Sequence, residues 1–157
     1  MMPRVAAFPV CRDHPLFWPL EEAPASLRRN PAEEVYWFKW DHSFGGDAVV
    51  RIARSGNDVA VTRKHRVNRF GKSRCVSARL SPSDWAALED AVVGAGFWLL
   101  DDQNVFDRLG VIDGADWLIA GHRGGTYHHL RRQSPHGPLY DVGRLMFDLA
   151  GLSEAHL

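Results

Sequence analysis

Cysteine is scarce in this chain. Cys11 and Cys75 are the only two in 157 residues, and neither stands in a Cys-x-x-Cys spacing, which excludes a thiolate zinc knuckle and a dithiol redox motif. Pairing or staying reduced depends on the compartment, and the spacing leaves both open. Net charge is absent as well: 19 Lys and Arg balance 19 Asp and Glu, which speaks against a dedicated polyanion binder. No apolar run approaches the roughly 18 residues of a membrane span, so no membrane contact is expected. Val5 to Phe8, broken by Pro9, is too short for a secretory core, and a cytoplasmic location is the expectation. The chain also lacks a Gly-x-Ser-x-Gly elbow, a P-loop and a Gly-x-Gly-x-x-Gly turn, and so offers no motif for a serine nucleophile or a bound nucleotide. No cofactor is expected, and no motif assigns a catalytic residue.

The charge that balances globally is missing one sign locally. From Arg51 to Leu80 nine Lys or Arg stand against Asp58 alone, and from Ser81 to Asp116 eight acids stand against Arg108 alone. Mutual neutralisation of the two segments across the fold is one reading; an exposed basic ribbon is the other. Proline is uneven too: six of the nine fall in residues 1–31, a density that argues for an irregular arm without a long helix. Phe8, Leu16, Phe17, Trp18 and Leu20 make that arm too apolar for a solvated tail. It is expected to wrap the domain and cap one end of its core, the alternative being an exposed docking segment.

What the chain does have is aromatic wealth, six Trp and eight Phe, in a length that suits a single domain over residues 1–157. Glu34 to Asp41 alternates as a strand, with Tyr36, Phe38 and Trp40 on one face. Ala48 to Ala53 and Val59 to Lys64 flank the turn Ser55-Gly56-Asn57-Asp58, and Ser73 to Leu80 reads as a fourth strand, giving an antiparallel meander over 34–80. Ser81-Pro82-Ser83-Asp84 supplies an N-cap, a proline at the first helical position and a capping-box acid. It opens a helix over 81–96 with Trp85, Leu88 and Val92 as its stripe. Phe97 to Leu100 reads as a short buried strand, and Asp101 to Asp113 as a long acidic loop with a functional bearing. A last helix over 139–150 carries Leu139, Val142, Leu145, Met146 and Leu149.

Asp113 to Pro135 folds as a hairpin about Gly124-Gly125, because primed two-residue turns need positive φ. The register then pairs Arg123 with Thr126, His122 with Tyr127, Gly121 with His128, Ala120 with His129, Ile119 with Leu130 and Trp117 with Arg132. Alternation puts Trp117, Ile119, Gly121, His128, Leu130 and Arg132 on the core face. Arg132 is there close enough to stack on Trp117, and Gly121 leaves room beside His128. The other face takes Asp116, Leu118, Ala120, His122, Tyr127, His129, Arg131 and Gln133. The whole predicts an α+β fold, an antiparallel β-sheet of about five to seven strands, meander plus hairpin, with two amphipathic helices packed on one face.

The segments SPSDWAALEDAVVGAGFW, DGADWLIAG and GTYHHLRRQSPHGP resemble a pattern in uncharacterised bacterial proteins: a capped helix ending in Gly-Phe-Trp, then Asp-Gly-x-x-Trp, then Tyr-His-x-x-x-Arg-x-Ser-Pro. The resemblance covers roughly the second half of the chain. It implies that Asp113 to Pro135 is the signature stretch, and it implies no chemistry.

Three groups of residues are candidates for function. Asp113, Trp117, Tyr127, His128 and Arg132 form a ligand or partner surface, since an imidazole beside a guanidinium and an indole can hold a carboxylate or phosphate or act as a base; the same groups serve equally as satisfied structural ones. Arg63, Lys64, Arg66, Arg69, Phe70, Lys72 and Arg74 combine cations for a phosphate backbone with a ring to stack a base, against a solvated hairpin tip. His122 and His129 are a diagonal cross-strand pair that would need a third metal ligand such as Asp116 or His136. The expected function is a small soluble binding or interaction domain with a protein partner, of a regulatory or immunity type. Nucleic-acid binding is the alternative, a hydrolase or metal-dependent enzyme using the hairpin histidines the third reading, and homo-oligomerisation stays open.

Overall fold

The computed structural model describes residues 19–42, 46–66, 74–102, 115–133 and 136–152. Val35 to Trp40 are all buried, so both faces of this strand are covered and it belongs at the centre of a sheet. It is β1 (Glu34–His42). β2 (Asp47–Ser55), β3 (Asp58–Arg66) and β4 (Arg74–Leu80) continue from it as a meander. β5 (Ala115–Arg123) and β6 (Thr126–Gln133) dock as a hairpin on its other side, giving one antiparallel sheet in the order β4-β3-β2-β1-β5-β6. The α+β expectation holds. So does the hairpin register, from Arg123 against Thr126 to Trp117 against Arg132. Gly124 and Gly125 have φ of 54° and 78°, which the primed turn requires.

Among the described residues three helices cover the sheet: α1 (Pro19–Arg29), α2 (Pro82–Gly94) and α3 (Pro138–Leu149). At the start of α2 the Ser81 hydroxyl accepts the Asp84 N–H at 3.1 Å while the Asp84 carboxylate accepts the Ser81 N–H at 2.9 Å, the capping box read from the sequence. Trp85, Leu88 and Val92 of α2 join Tyr36, Phe38, Ile52, Val61, Trp117, Ile119 and Leu130 in the main core, closed by α3. α3 is rotated from the expected stripe: Val142, Gly143, Met146 and Phe147 are buried, while Leu139, Leu145 and Leu149 are only partly covered. The cause is Trp117. Its ring packs on Phe38 at 4.6 Å and stacks on Tyr140 at 5.6 Å instead of taking Arg132, and it fills the space over Gly143. Gly121 likewise makes room for a neighbour other than His128. A Cβ there would stand 2.6 Å from the Tyr36 ring on β1.

Over residues 19–29 the helix α1 corrects the expectation of an irregular arm, the rest of which, residues 1–18, lies outside the described residues; α1 lies on the opposite face from α2 and α3. Pro19 occupies the first position, where no amide partner is needed; Pro24 forfeits one backbone bond, which the burial of Ala23 and Ser26 offsets. Below α1 lie Val35, Trp37, Val49, Ala53 and Ala120. The Arg51 guanidinium lies 5.5 Å from the Trp37 ring centroid and pairs with Glu33 at 3.4 Å. His122 is fully buried here, its Nε2 3.1 Å from the Ser26 hydroxyl. Burial, and then the charge of Arg51, holds its pKa below the ordinary value. The unfolded chain therefore takes up a proton near the usual histidine pKa of about 6.5 while the folded protein does not, so stability is full above that pH and declines as the pH falls toward the folded value. Melting temperatures at about pH 7.5 and 5.5 are expected to show this decline, and His122→Gln to reduce it; an equal decline in the variant would sink the assignment.

The ion pairs of Arg51, Arg54, Arg66, Glu89 and Asp102 do not join the basic segment to the acidic one. Among the described residues, Arg51, Arg54 and Arg66 of the basic segment pair with Glu33, Glu34 and Asp47, which flank β1 in sequence. Glu89 and Asp102 of the acidic segment pair with Arg123 and Arg131 of the hairpin. The partners lie on or just before adjoining strands, on α2, or, for Asp102, in the segment just after it. Cys75 is disulfide-bonded, while Cys11 lies outside the described residues. Among those residues no helix is long and apolar enough to cross a membrane.

Candidate functional site

After α2 the chain turns through Ala95 and Gly96, whose φ is 72°, into a single 3-10 turn, Phe97–Leu99, in place of the expected short buried strand. One turn cannot bury four consecutive apolar residues. Phe97 points inward and is fully buried, Trp98 lies beside Arg123 at 4.8 Å, and Leu99 is left 90% exposed with Leu100 at 36%. Arg123 is in turn bound by Glu89 at 2.7 Å, and Glu89 accepts the Tyr36 hydroxyl at 2.8 Å. Burial, and then Glu89, pushes the Tyr36 hydroxyl far above the ordinary tyrosine range, so it remains a donor and the base of the turn is tied to the sheet.

β6 secures the other side of the turn, one residue after another. His128 donates Nε2–H to the Leu100 carbonyl at 2.8 Å and sits edge-on to Phe97. Arg132 donates to the Asp101 carbonyl at 2.8 Å. Arg131 binds the Asp102 carboxylate through its backbone N–H at 2.7 Å and its guanidinium at 2.7 Å, and His129 Nε2 lies 3.2 Å from the same carboxylate. Burial would raise the Asp102 pKa, but the two kinds of bond from Arg131, with the charges of Arg131 and His129, hold it below the ordinary value. Tyr127 completes the group, its hydroxyl 3.0 Å from His129 Nδ1. Burial, and then the charge of Asp102, raises its pKa.

The expected ligand group is thus partly assembled and partly spent. His128 and Arg132 do stand on one face, but each is bound to the chain's own carbonyls; Trp117 is buried beneath α3, and Asp113 lies outside the described residues. The expected metal pair is separated by its partners, His122 going to Ser26 under α1 and His129 to Asp102. Among the described residues no group of three or more potential ligands could hold a metal ion. The basic stretch is divided as well. Arg63 and Lys64 project from β3 to opposite faces, Arg63 lying against Gly151 just beyond α3, and Arg66 is held by Asp47 at 2.7 Å. Arg74 is exposed at the start of β4, and Arg69, Phe70 and Lys72 lie outside the described residues.

No protein-family model matches this chain, and no curated protein matches it.

Leu99, Leu100, Asp102 and Arg131 are the site residues that sequence reasoning missed. Two signals were present. Phe97-Trp98-Leu99-Leu100 is more apolar than one turn can bury, and Asp101-Asp102 follows at once, where alternation along β6 sends Arg131 and Arg132 to opposite sides of the chain they hold.

Proposed function

We propose that this protein is a small protein-binding domain whose contact surface is centred on Leu99 and Leu100. The observation that carries the reading is the pairing of exposure with rigidity: a 90% exposed Leu99 sits on a turn anchored on one side by buried Phe97 and on the other by hydrogen bonds from His128, Arg132 and Arg131. A turn whose backbone is held in place before contact loses little backbone entropy on binding, which lets an exposed apolar side chain on it serve as an anchor. The partner that fits is a protein with an apolar pocket that receives Leu99, followed in sequence by the exposed Leu100 and Asp101. The disulfide at Cys75 favours an oxidising compartment over the cytoplasm. The nucleic-acid reading is the weaker one, because the cations on β3 and β4 are divided between two faces of the sheet.

A photo-crosslinking residue placed at position 99 tests the proposal in the cells that make the protein, with the exposed Ala86 on α2 as the control position. Position 99 is expected to capture one partner that position 86 does not. Leu99→Asp is expected to weaken the isolated complex by about 30-fold, as for a hot-spot residue of about 2 kcal/mol. Equal capture at both positions refutes the proposal, and capture of a second copy of the chain would make the partner the protein itself.

A further inference from the structure

We propose that Tyr127 is a nucleophilic tyrosine, oriented by His129 and Asp102 to attack the carbonyl carbon of an uncharged ester. The three side chains are joined end to end, Tyr127 Oη 3.0 Å from His129 Nδ1 and His129 Nε2 3.2 Å from Asp102 Oδ2. An ionised carboxylate can only accept, so Nε2 carries the imidazole hydrogen and Nδ1 keeps the lone pair that faces the tyrosine hydroxyl. The first distance is within the reach of a general base, and the third group that such a base needs for orientation is Asp102, itself immobilised by Arg131. β6 places Tyr127, His129 and Arg131 on one face by simple alternation, and all three are only partly buried. The raised pKa keeps the phenol protonated near neutral pH, and attack then requires the adjacent base.

In the step itself the Tyr127 Oη–carbon bond forms while the Oη proton passes to His129 Nδ1. Asp102 steadies the imidazolium. The tetrahedral oxyanion then collapses, the ester C–O bond breaks, and Nδ1 returns the proton to the leaving alkoxide, leaving O-acyl-tyrosine and an alcohol. Charge selects the class of donor. The Arg131 guanidinium is already neutralised by Asp102, so it does not supply the uncompensated cation that a phosphoryl or carboxylate-bearing donor would need, whereas a neutral ester needs none.

The probe is p-nitrophenyl acetate, followed by peptide mapping at short reaction times. Tyr140, partly buried like Tyr127 but stacked on Trp117, is the internal reference. Tyr127 is expected to acetylate about 100-fold faster than Tyr140, an advantage lost in His129→Gln and in Asp102→Asn. Tyr127→Phe keeps the ring packing and removes the adduct, with the melting temperature confirming the fold. Equal acetylation of the two tyrosines overturns the proposal. Rapid nitrophenol release that persists in Tyr127→Phe also overturns it, by making His129 the nucleophile. Neither result bears on Leu99, so this proposal and the binding surface stand or fall separately.

Discussion

Gly143→Ala is expected to lower the melting temperature by about 5–10 °C, from a loss of roughly 2–3 kcal/mol. In an ordinary helix interior the same change stabilises by about 1 kcal/mol, so the sign alone is diagnostic. The added Cβ would stand 2.0 Å from Cζ3 and 2.7 Å from Cη2 of Trp117, and 2.9 Å from Cζ of Phe38. Trp117 has nowhere to go. Its indole is packed between Phe38 and Tyr140, and Phe38 is backed by Phe147 at 4.9 Å, so relief requires α3 itself to move away from the sheet. Gly94 at the end of α2 supplies the control, since nothing lies within 4 Å of a Cβ there and Gly94→Ala is expected to be neutral or stabilising. Thermal melts of the two variants side by side decide the matter. A Gly143→Ala protein at least as stable as the parent would mean that α3 does not press on Trp117.

Asp102→Ala is expected to cost about 2 kcal/mol and to weaken partner binding without removing any atom of Leu99. The substitution removes the acceptor for the Arg131 backbone N–H, for its guanidinium and for His129, all on an edge strand where water replaces only part of what is lost. Its pH dependence has a definite sign. Because the folded pKa lies below the ordinary carboxylate value of about 3.9, the contribution of Asp102 is complete above that pH and is lost as the pH falls through the folded value. Acid titration of the parent should therefore show a stability loss below about pH 4 that Asp102→Ala lacks. Hydrogen exchange gives the local view: the amide of Arg131 should lose protection in the variant before the centre of β5 does. An unchanged acid limb together with unchanged protection would show that Asp102 does not hold the turn.

Much of the architecture could be read directly from the residues. Ser81-Pro82-Ser83-Asp84 specifies a helix start through local hydrogen bonds that need no distant partner, and Gly124-Gly125 specifies both a turn and the register of every pair that follows it. The alternation in β1 marks a doubly covered strand, and the turn at Gly56 sets the second hairpin. These are short-range effects, decided within a few residues. α1 escaped the same treatment because proline density is a statement about intrinsic preference, and burial of Ala23 and Ser26 against the sheet outweighs it.

The functional geometry depends on contacts between residues far apart in the chain. Which strand receives the hairpin, β1 and not β4, is settled by packing Trp117 and Ile119 beside Tyr36 and Phe38. That choice brings β6 alongside the turn after α2 and joins Leu100, Asp101 and Asp102 to residues about 30 positions later. It also spends His128 and Arg132 on the backbone and brings His129 to Asp102. The sequence by itself determined the meander, the start of α2, and the register and faces of the hairpin, because periodicity and turn chemistry act over a handful of residues. Only the tertiary structure decided the partner of each polar side chain, because a buried or half-buried donor binds the acceptor that folding brings within about 3 Å, and no local pattern encodes which one that will be.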